Sequence, residues 1–313
     1  VTRSPSLLAE ADRTALHERF GDRVRFDEPL APATWWKVGG PADALVTATG
    51  TEDAAFLLQF CRRRKLPWFV LGAGSNLLVG DGGIRGLVIR LAGSYETLDT
   101  AVDGDAVVVR AGAAASLPQL VAQAATLGAE GVDGLAGIPA TVGGALFMNA
   151  GTDREIGEFV REVHVQTAAE PEPHPTWVGF AYRHTTLPRD ALVAGVTLAF
   201  PRSEAAAVRA RTQDRLVRRK ATQPVALPNA GSCFRNPPGD RAGRLIEAAG
   251  AKGWRSGGAE VSTLHANFIV NVDRASALDV STLLARVHRA VDDAFGVDLH
   301  LEVHLVGEFV ADV

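Results

Sequence analysis

Between Trp68 and Leu91 the chain reads WFVLGAGSNLLVGDGGIRGLVIRL. Its apolar runs, Trp68–Leu71, Leu77–Val79 and Leu87–Leu91, are short, rich in Val, Leu and Ile, and separated by glycine. That pattern predicts strands rather than helix. Gly72 and Gly74, followed by Ser75 and Asn76, let a strand tip approach a ligand closely and turn several N–H groups toward it, as a phosphate or pyrophosphate requires. The segment lacks the Lys-Ser/Thr ending of a P-loop. It also lacks the third glycine and the helix start of G-x-G-x-x-G, so a classical dinucleotide fold is disfavoured. A tight hairpin without ligand is the competing reading of these residues alone.

The flanking sequence supplies alternating elements. An amphipathic helix is predicted over Pro5–Phe20 and a strand over Ala44–Thr47. The next helix has Thr51 as N-cap, Glu52 and Asp53 in its first turn, Arg62–Lys65 in its last and Pro67 beyond. Strand, helix and the strand at Trp68 make a βαβ unit with parallel strands. A strand at Ala106–Ala111 and a helix at Ser116–Leu127, closed by Gly128, lead to a second glycine-rich block, GLAGIPATVGGA, from Gly134 to Ala145. It continues into Met148-Asn149-Ala150-Gly151. So small and apolar a segment is either a close helix contact or a wall against a flat cofactor. Strands follow at Val160–Thr167 and Ala191–Phe200, then a charged helix at Ser203–Arg219 and a change of composition around Lys220–Pro228. The last third predicts helices at Arg241–Ala249 and Val280–Phe295, and strands at Ala266–Asn271 and Leu299–Phe309. The fold class expected is α+β, with parts at residues 1–97, 98–212 and 213–313.

With 313 residues, 47% of them hydrophobic, the chain can bury two or three cores. A net charge of -4 gives no reason to expect nucleic acid or an anionic membrane as partner. Cys61 and Cys233 cannot form a disulfide framework or a Cys-rich zinc site, which suits a reducing compartment. With no transmembrane-length apolar run and no export signal, a cytoplasmic protein is expected. His184, His265 and His304 have no metal-ligand spacing, so no metal is assigned.

VLGAGSNLLVGDGGIRGLVI, LAGIPATVGGALFMNAG, FAYRHT, NAGSCFRNP and AEVSTLHANFIVN occur in this order. Together they closely resemble the UDP-N-acetylenolpyruvoylglucosamine reductases, flavoenzymes of bacterial peptidoglycan synthesis, over roughly Thr34 to Glu308. The resemblance implies a two-part FAD-binding domain of the vanillyl-alcohol-oxidase (PCMH) type and a smaller α/β substrate-binding domain. The implied cofactor is non-covalent FAD, since neither block offers the histidine or cysteine used for covalent linkage. Gly72, Gly74, Ser75 and Asn76 would hold its pyrophosphate, and Gly137, Ile138, Pro139, Gly143 and Gly144 would form a second flavin-contacting segment. Ala140 stands where the family usually has glycine, which matters if that position needs a positive φ.

The implied reaction passes hydride from NADPH to flavin and then to C3 of an enolpyruvyl ether, while C2 is protonated. A protein running it must stabilise negative charge at C2 and its carboxylate, and must deliver a proton there. By motif, Arg183 would bind the carboxylate through a guanidinium fork. Ser232 would donate the proton, and Glu302 would sit near the carboxylate, with Glu308 as a competing candidate. In an extended segment Ser232 and Cys233 face opposite ways, so Cys233 is read as packing. Tyr182, Lys220 and Asn236 match substrate-contacting positions. The short interval from Arg183 to Lys220 resembles the subclass (type II) without an extra substrate loop, and the tyrosine supplied by that loop has no counterpart here. Another flavin oxidase or dehydrogenase of the same fold, or a flavin-binding protein without turnover, are the alternatives.

Overall fold

The structure is a computed structural model that describes residues 3–309. The N-terminal part contains α1 (Glu10–Phe20), β1 (Val24–Pro29), β2 (Pro41–Ala48), α2 (Thr51–Arg64), β3 (Trp68–Val70), β4 (Leu77–Val79) and β5 (Ile84–Leu91). Four of its strands form one sheet in the order β1-β2-β5-β3. β2 and β3 both run parallel to β5, so the expected βαβ unit is present with β5 inserted between its strands. Central β2 and β5 are buried along most of their length, and their near-continuous apolar sequences reflect cover on both faces. Gly50, rather than Thr51, is the N-cap of α2. Asp53 has turned back to accept the Thr49 N–H at 3.1 Å and its hydroxyl at 3.0 Å, which moves the helix start by one residue.

The middle of the chain builds a five-stranded antiparallel sheet. Its elements are β6 (Leu98–Asp103), β7 (Ala106–Gly112), α3 (Leu117–Thr126), α4 (Val142–Phe147), β8 (Val160–Gln166), β9 (His174–Thr176) and β12 (Leu192–Pro201), in the strand order β6-β7-β12-β8-β9. A short hairpin, β10 (Phe180–Ala181) and β11 (His184–Thr185), stands apart from that sheet. The alternating inward residues of β7 and β12, such as Val107, Val109, Val196 and Leu198, meet Leu120, Leu146 and Val208 from α3, α4 and α5 (Ala205–Thr222) in one core.

The last part holds α6 (Ala242–Ala248), the sheet β13 (Arg255–Ser256), β14 (Ala259–Val261) and β15 (Ile269–Asn271), α7 (Ala277–Phe295) and β16 (His304–Val306). Ser276 and Asp279 form a capping box at the start of α7, and Gly296 ends it. Three contacts tie this part to the first sheet. Trp36 is fully buried among Leu245, Val280 and Leu284 and donates its indole N–H to the Ile269 carbonyl at 2.7 Å. The Asp81 carboxylate accepts the free N–H groups of Ala277 and Leu278 at the start of α7. Finally, β16 pairs in parallel with β4, bringing the C-terminal segment beside Gly72–Asn76. β4 therefore belongs with the chain's far end, and the glycine-rich segment is not the tip of a hairpin.

Candidate active site

The segment Gly72–Asn76 crosses from β3 to β4 over the edges of two sheets. Gly74 adopts φ +67°, and a Cβ there would lie 2.2 Å from the Ala33 carbonyl oxygen. Glycine is thus required by the close approach of Ala33–Trp35, whose Trp35 N–H donates to Gly74 C=O at 3.0 Å. Among the described residues no acceptor takes the backbone N–H groups of Gly72, Ala73, Gly74, Ser75 or Asn76. Asn76 uses its side-chain amide to donate to Glu302 C=O at 3.0 Å, and its own carbonyl accepts the His304 N–H at 3.1 Å.

Opposite lies the second glycine-rich block. A Cβ on Gly72 would fall 2.7 Å from Thr141 Oγ1, so the two blocks touch through the missing side chain. Thr141 caps α4 by accepting the Gly144 N–H at 3.2 Å, while Gly143 donates to Ala113 C=O at 2.8 Å. Ile138 and Ala140 also donate locally, to Leu135 and Ile138 carbonyls, and Pro139 has no N–H. Gly137 leaves room for the Arg219 side chain, whose Cδ would be 2.8 Å from a Cβ. Ala140 is absent from the residues with positive φ, so alanine is unstrained in the position where glycine was the expected residue.

Arg183 occupies the turn of the β10–β11 hairpin at φ +53°. A bulky residue in the left-handed region is strained, and here the strain accompanies a fixed guanidinium. Its Nε donates to Glu302 Oε1 at 2.7 Å, Nη1 to Glu155 Oε1 at 3.0 Å and Nη2 to the Gly151 carbonyl at 2.8 Å. Glu302 is reached because its backbone N–H donates to Cys233 C=O at 2.8 Å, which sets the Ser232–Cys233 segment against the Glu302 segment. Cys233 is buried, its thiol pushed up to about 12 by burial, whereas Ser232 is partly open. The Arg183 guanidinium lies over the Tyr182 ring at 4.8 Å.

Not every candidate joins this cluster. Asn236 spends its carbonyl oxygen on the Ala242 N–H at the start of α6. Lys220 is exposed near the end of α5, and its ammonium makes no hydrogen bond among the described residues. Glu308 sits on the other side of β4, its carboxylate 3.7 Å from Arg85, so it does not compete with Glu302. The sequence reading missed Glu155 altogether and gave Asn149 and Met148 no role. Asn149 Nδ2 donates to Glu155 Oε2 at 2.6 Å and to Ala181 C=O at 2.9 Å. Met148 meets His304 Nε2 at 2.9 Å. No spacing rule could find these residues, because their partners come from distant segments.

With this geometry in place, comparison with known proteins decides the family. Residues 223–306 match the family model of the UDP-N-acetylenolpyruvoylglucosamine reductase C-terminal domain, and residues 42–170 match that of an FAD-binding domain. The UDP-N-acetylenolpyruvoylglucosamine reductase of Moorella thermoacetica is 46% identical, covering 91% of this chain and 94% of its own. Such a reductase from Symbiobacterium thermophilum is 45% identical over 96% of this chain and 97% of its own. The chain belongs to the UDP-N-acetylenolpyruvoylglucosamine reductase family. A crystal structure of the reductase from Thermus caldophilus superposes with a TM-score of 0.75 at 37% identity, covering 90% of this chain and 97% of that one. The fold class is accordingly α+β, with an FAD-binding domain followed by the C-terminal domain of this reductase family. The residues present fit FAD. Gly72–Asn76 offer a run of uncommitted N–H donors suited to a pyrophosphate, and the block from Gly137 to Gly144 offers a small, apolar face with most of its N–H groups already bonded within the protein.

Proposed function

We propose that this chain reduces the enolpyruvyl ether of UDP-N-acetylglucosamine to UDP-N-acetylmuramate for peptidoglycan synthesis, in the cytoplasm, with FAD as cofactor and NADPH as reductant. The observation that carries this reading is the convergence of Arg183, Glu302 and the Ser232–Cys233 segment beside the uncommitted donors of Gly72–Asn76. Residues 1–97 and 98–212 would form the FAD-binding pair, and 213–313 the substrate domain. FAD held there would supply the hydride chemistry that links NADPH to the substrate double bond.

The protein's own share is electrostatic control and proton delivery. Arg183 binds the substrate carboxylate and stabilises the negative charge that builds at C2 and spreads into it; its charge is permanent and its geometry is held by hydrogen bonds on three sides. Ser232 Oγ donates the proton to C2. Glu302 holds Arg183 Nε and lies against the segment carrying Ser232, where it orients the guanidinium and helps stabilise or protonate the intermediate. Gly72, Gly74, Ser75 and Asn76 would hold the cofactor pyrophosphate, and Gly137, Ile138, Pro139, Gly143 and Gly144 would form the second flavin-contacting segment. Tyr182, Lys220 and Asn236 contact the UDP-sugar. Lys220 is free to do so, and Asn236 keeps its amide nitrogen for it while its oxygen caps α6.

Rapid-mixing kinetics on Ser232→Ala test this reading. Flavin reduction by NADPH is expected to stay within about twofold of wild type, while reoxidation by the enolpyruvyl substrate slows by about 10²–10⁴-fold. Equal slowing of both halves would remove Ser232 from proton transfer.

A further inference from the structure

Arg183 is gripped by two carboxylates, although one counter-ion would neutralise it. Glu302 reaches it from the C-terminal segment, and Glu155 from the turn after the second glycine-rich block. The side chains of Arg183, Glu302 and Glu155 are 13%, 18% and 20% exposed, so all three are largely withdrawn from water. Asn149, itself at φ +43°, locks Glu155 in place with its amide nitrogen and accepts the Gly157 N–H at 2.9 Å. The same amide nitrogen donates to Ala181 C=O, in the hairpin that carries Arg183. Once Nε, Nη1 and Nη2 have each made one bond, one N–H remains on each terminal nitrogen for a further acceptor.

We propose that Glu155 is a positioning residue for Arg183, setting the fork that receives the substrate carboxylate and opposing that carboxylate's charge. This rests on the function proposed above. The opposition follows from charge counting. Arg183 with Glu155 and Glu302 carries a net single negative charge when both acids are ionised, and a bound carboxylate adds another. The other charged groups facing Glu155 are Glu158, which accepts its backbone N–H at 2.7 Å, and Arg154, which pairs with Glu158. Burial holds the Glu155 carboxyl above its usual range, Arg183 pulls it down, and Glu158 and Glu302 push it further up. Glu155 therefore takes a proton from solvent more readily than an ordinary glutamate, and a bound carboxylate raises that tendency.

The test uses the FAD-loaded protein and two variants, Glu155→Gln and Glu155→Ala. Calorimetric binding of UDP-N-acetylmuramate, which bears the same carboxylate, is followed from pH 5 to pH 8. Wild-type affinity is expected to fall as pH rises and Glu155 ionises. Glu155→Gln should lose that slope and bind about three- to tenfold more tightly at pH 8. Glu155→Ala, which frees Arg183 on one side, should slow flavin reoxidation by substrate about 10- to 100-fold while NADPH reduction stays within about twofold. Glu155→Gln, which retains an acceptor for Nη1, should recover most of that rate. If the Ala variant fails to retain FAD, the binding slope of the Gln variant decides alone. A wild-type slope in the Gln variant overturns the proposal, as does unchanged reoxidation in the Ala variant. A wild-type holoenzyme that leaves the enolpyruvyl ether unreduced would overturn the proposed function and this inference together; an active wild type with unaltered variants overturns only the inference.

Discussion

In Gly72–Asn76 a run of backbone N–H groups has no acceptor among the described residues, whereas in the block from Gly137 to Gly144 those of Ile138, Ala140, Val142, Gly143 and Gly144 are committed to a carbonyl or to the Thr141 hydroxyl. Both segments are glycine-rich, and both pack against each other through Gly72 and Thr141. Their glycines nevertheless serve different ends. In the first, Gly74 allows a left-handed turn against Ala33 that leaves donors pointing outward. In the second, Gly143 allows α4 to begin against Ala113, with its hydrogen bonds closed internally. The first segment is a donor cradle and the second a self-satisfied wall. Glycine content alone does not separate these roles; the hydrogen-bond account does.

The strongest way to break this distinction is Gly74→Ala. A Cβ would sit 2.2 Å from a backbone oxygen at φ +67°, so neither a rotamer change nor a side-chain shift relieves it. We expect a loss of about 2–4 kcal/mol in unfolding free energy and loss of bound flavin, read by chemical denaturation and visible absorption. A stable, flavin-loaded variant would mean that the cradle is not rigid. Thr141→Val comes next. It removes the cap of α4 while keeping the shape that faces Gly72, and should cost about 1 kcal/mol by thermal melting, with flavin still bound. Flavin loss without destabilisation would show that the Thr141 hydroxyl belongs to the cofactor site rather than to the wall. The smallest effect is expected from Gly144→Ala. Its only close neighbour would be Thr141 Oγ1 at 3.3 Å, and the position is helical. Stability should change by less than about 1 kcal/mol, with helix propensity favouring alanine. Weaker FAD binding at unchanged stability would then identify this face as the surface against which the cofactor lies.

Much of the local structure was legible in the sequence. The end of α7 follows from Gly296, whereas its start, expected at Val280, lies at Ala277 after the Ser276–Asp279 capping box; the strands around Trp68–Leu91 follow from short apolar runs between glycines. Such features depend on residues within about one turn or one strand of each other, where steric and hydrogen-bond preferences act directly. The motifs also put Arg183, Ser232 and Glu302 on the list of candidates. The segment lengths could not reveal that β4 pairs with β16 rather than with β3, nor that β5 lies between β2 and β3. Strand partners are chosen by which apolar faces cover one another across the whole core, and that choice has no local signature.

The site shows the same division most sharply. Glu302 lies 119 residues from Arg183 and Glu155 lies 28 from it, and neither interval is a helical or strand spacing. By itself the sequence determined the residue types, the glycine positions that permit close backbone approach, and helix stops such as Gly296. Only the tertiary structure decided that Gly72–Asn76 keep their donors free, that Ala140 needs no positive φ, and that Glu155 joins Glu302 on one guanidinium. The reason is physical: local conformation is set by neighbours along the chain, whereas the pairing of buried charges and the satisfaction of backbone groups are settled by segments that meet only when the core closes.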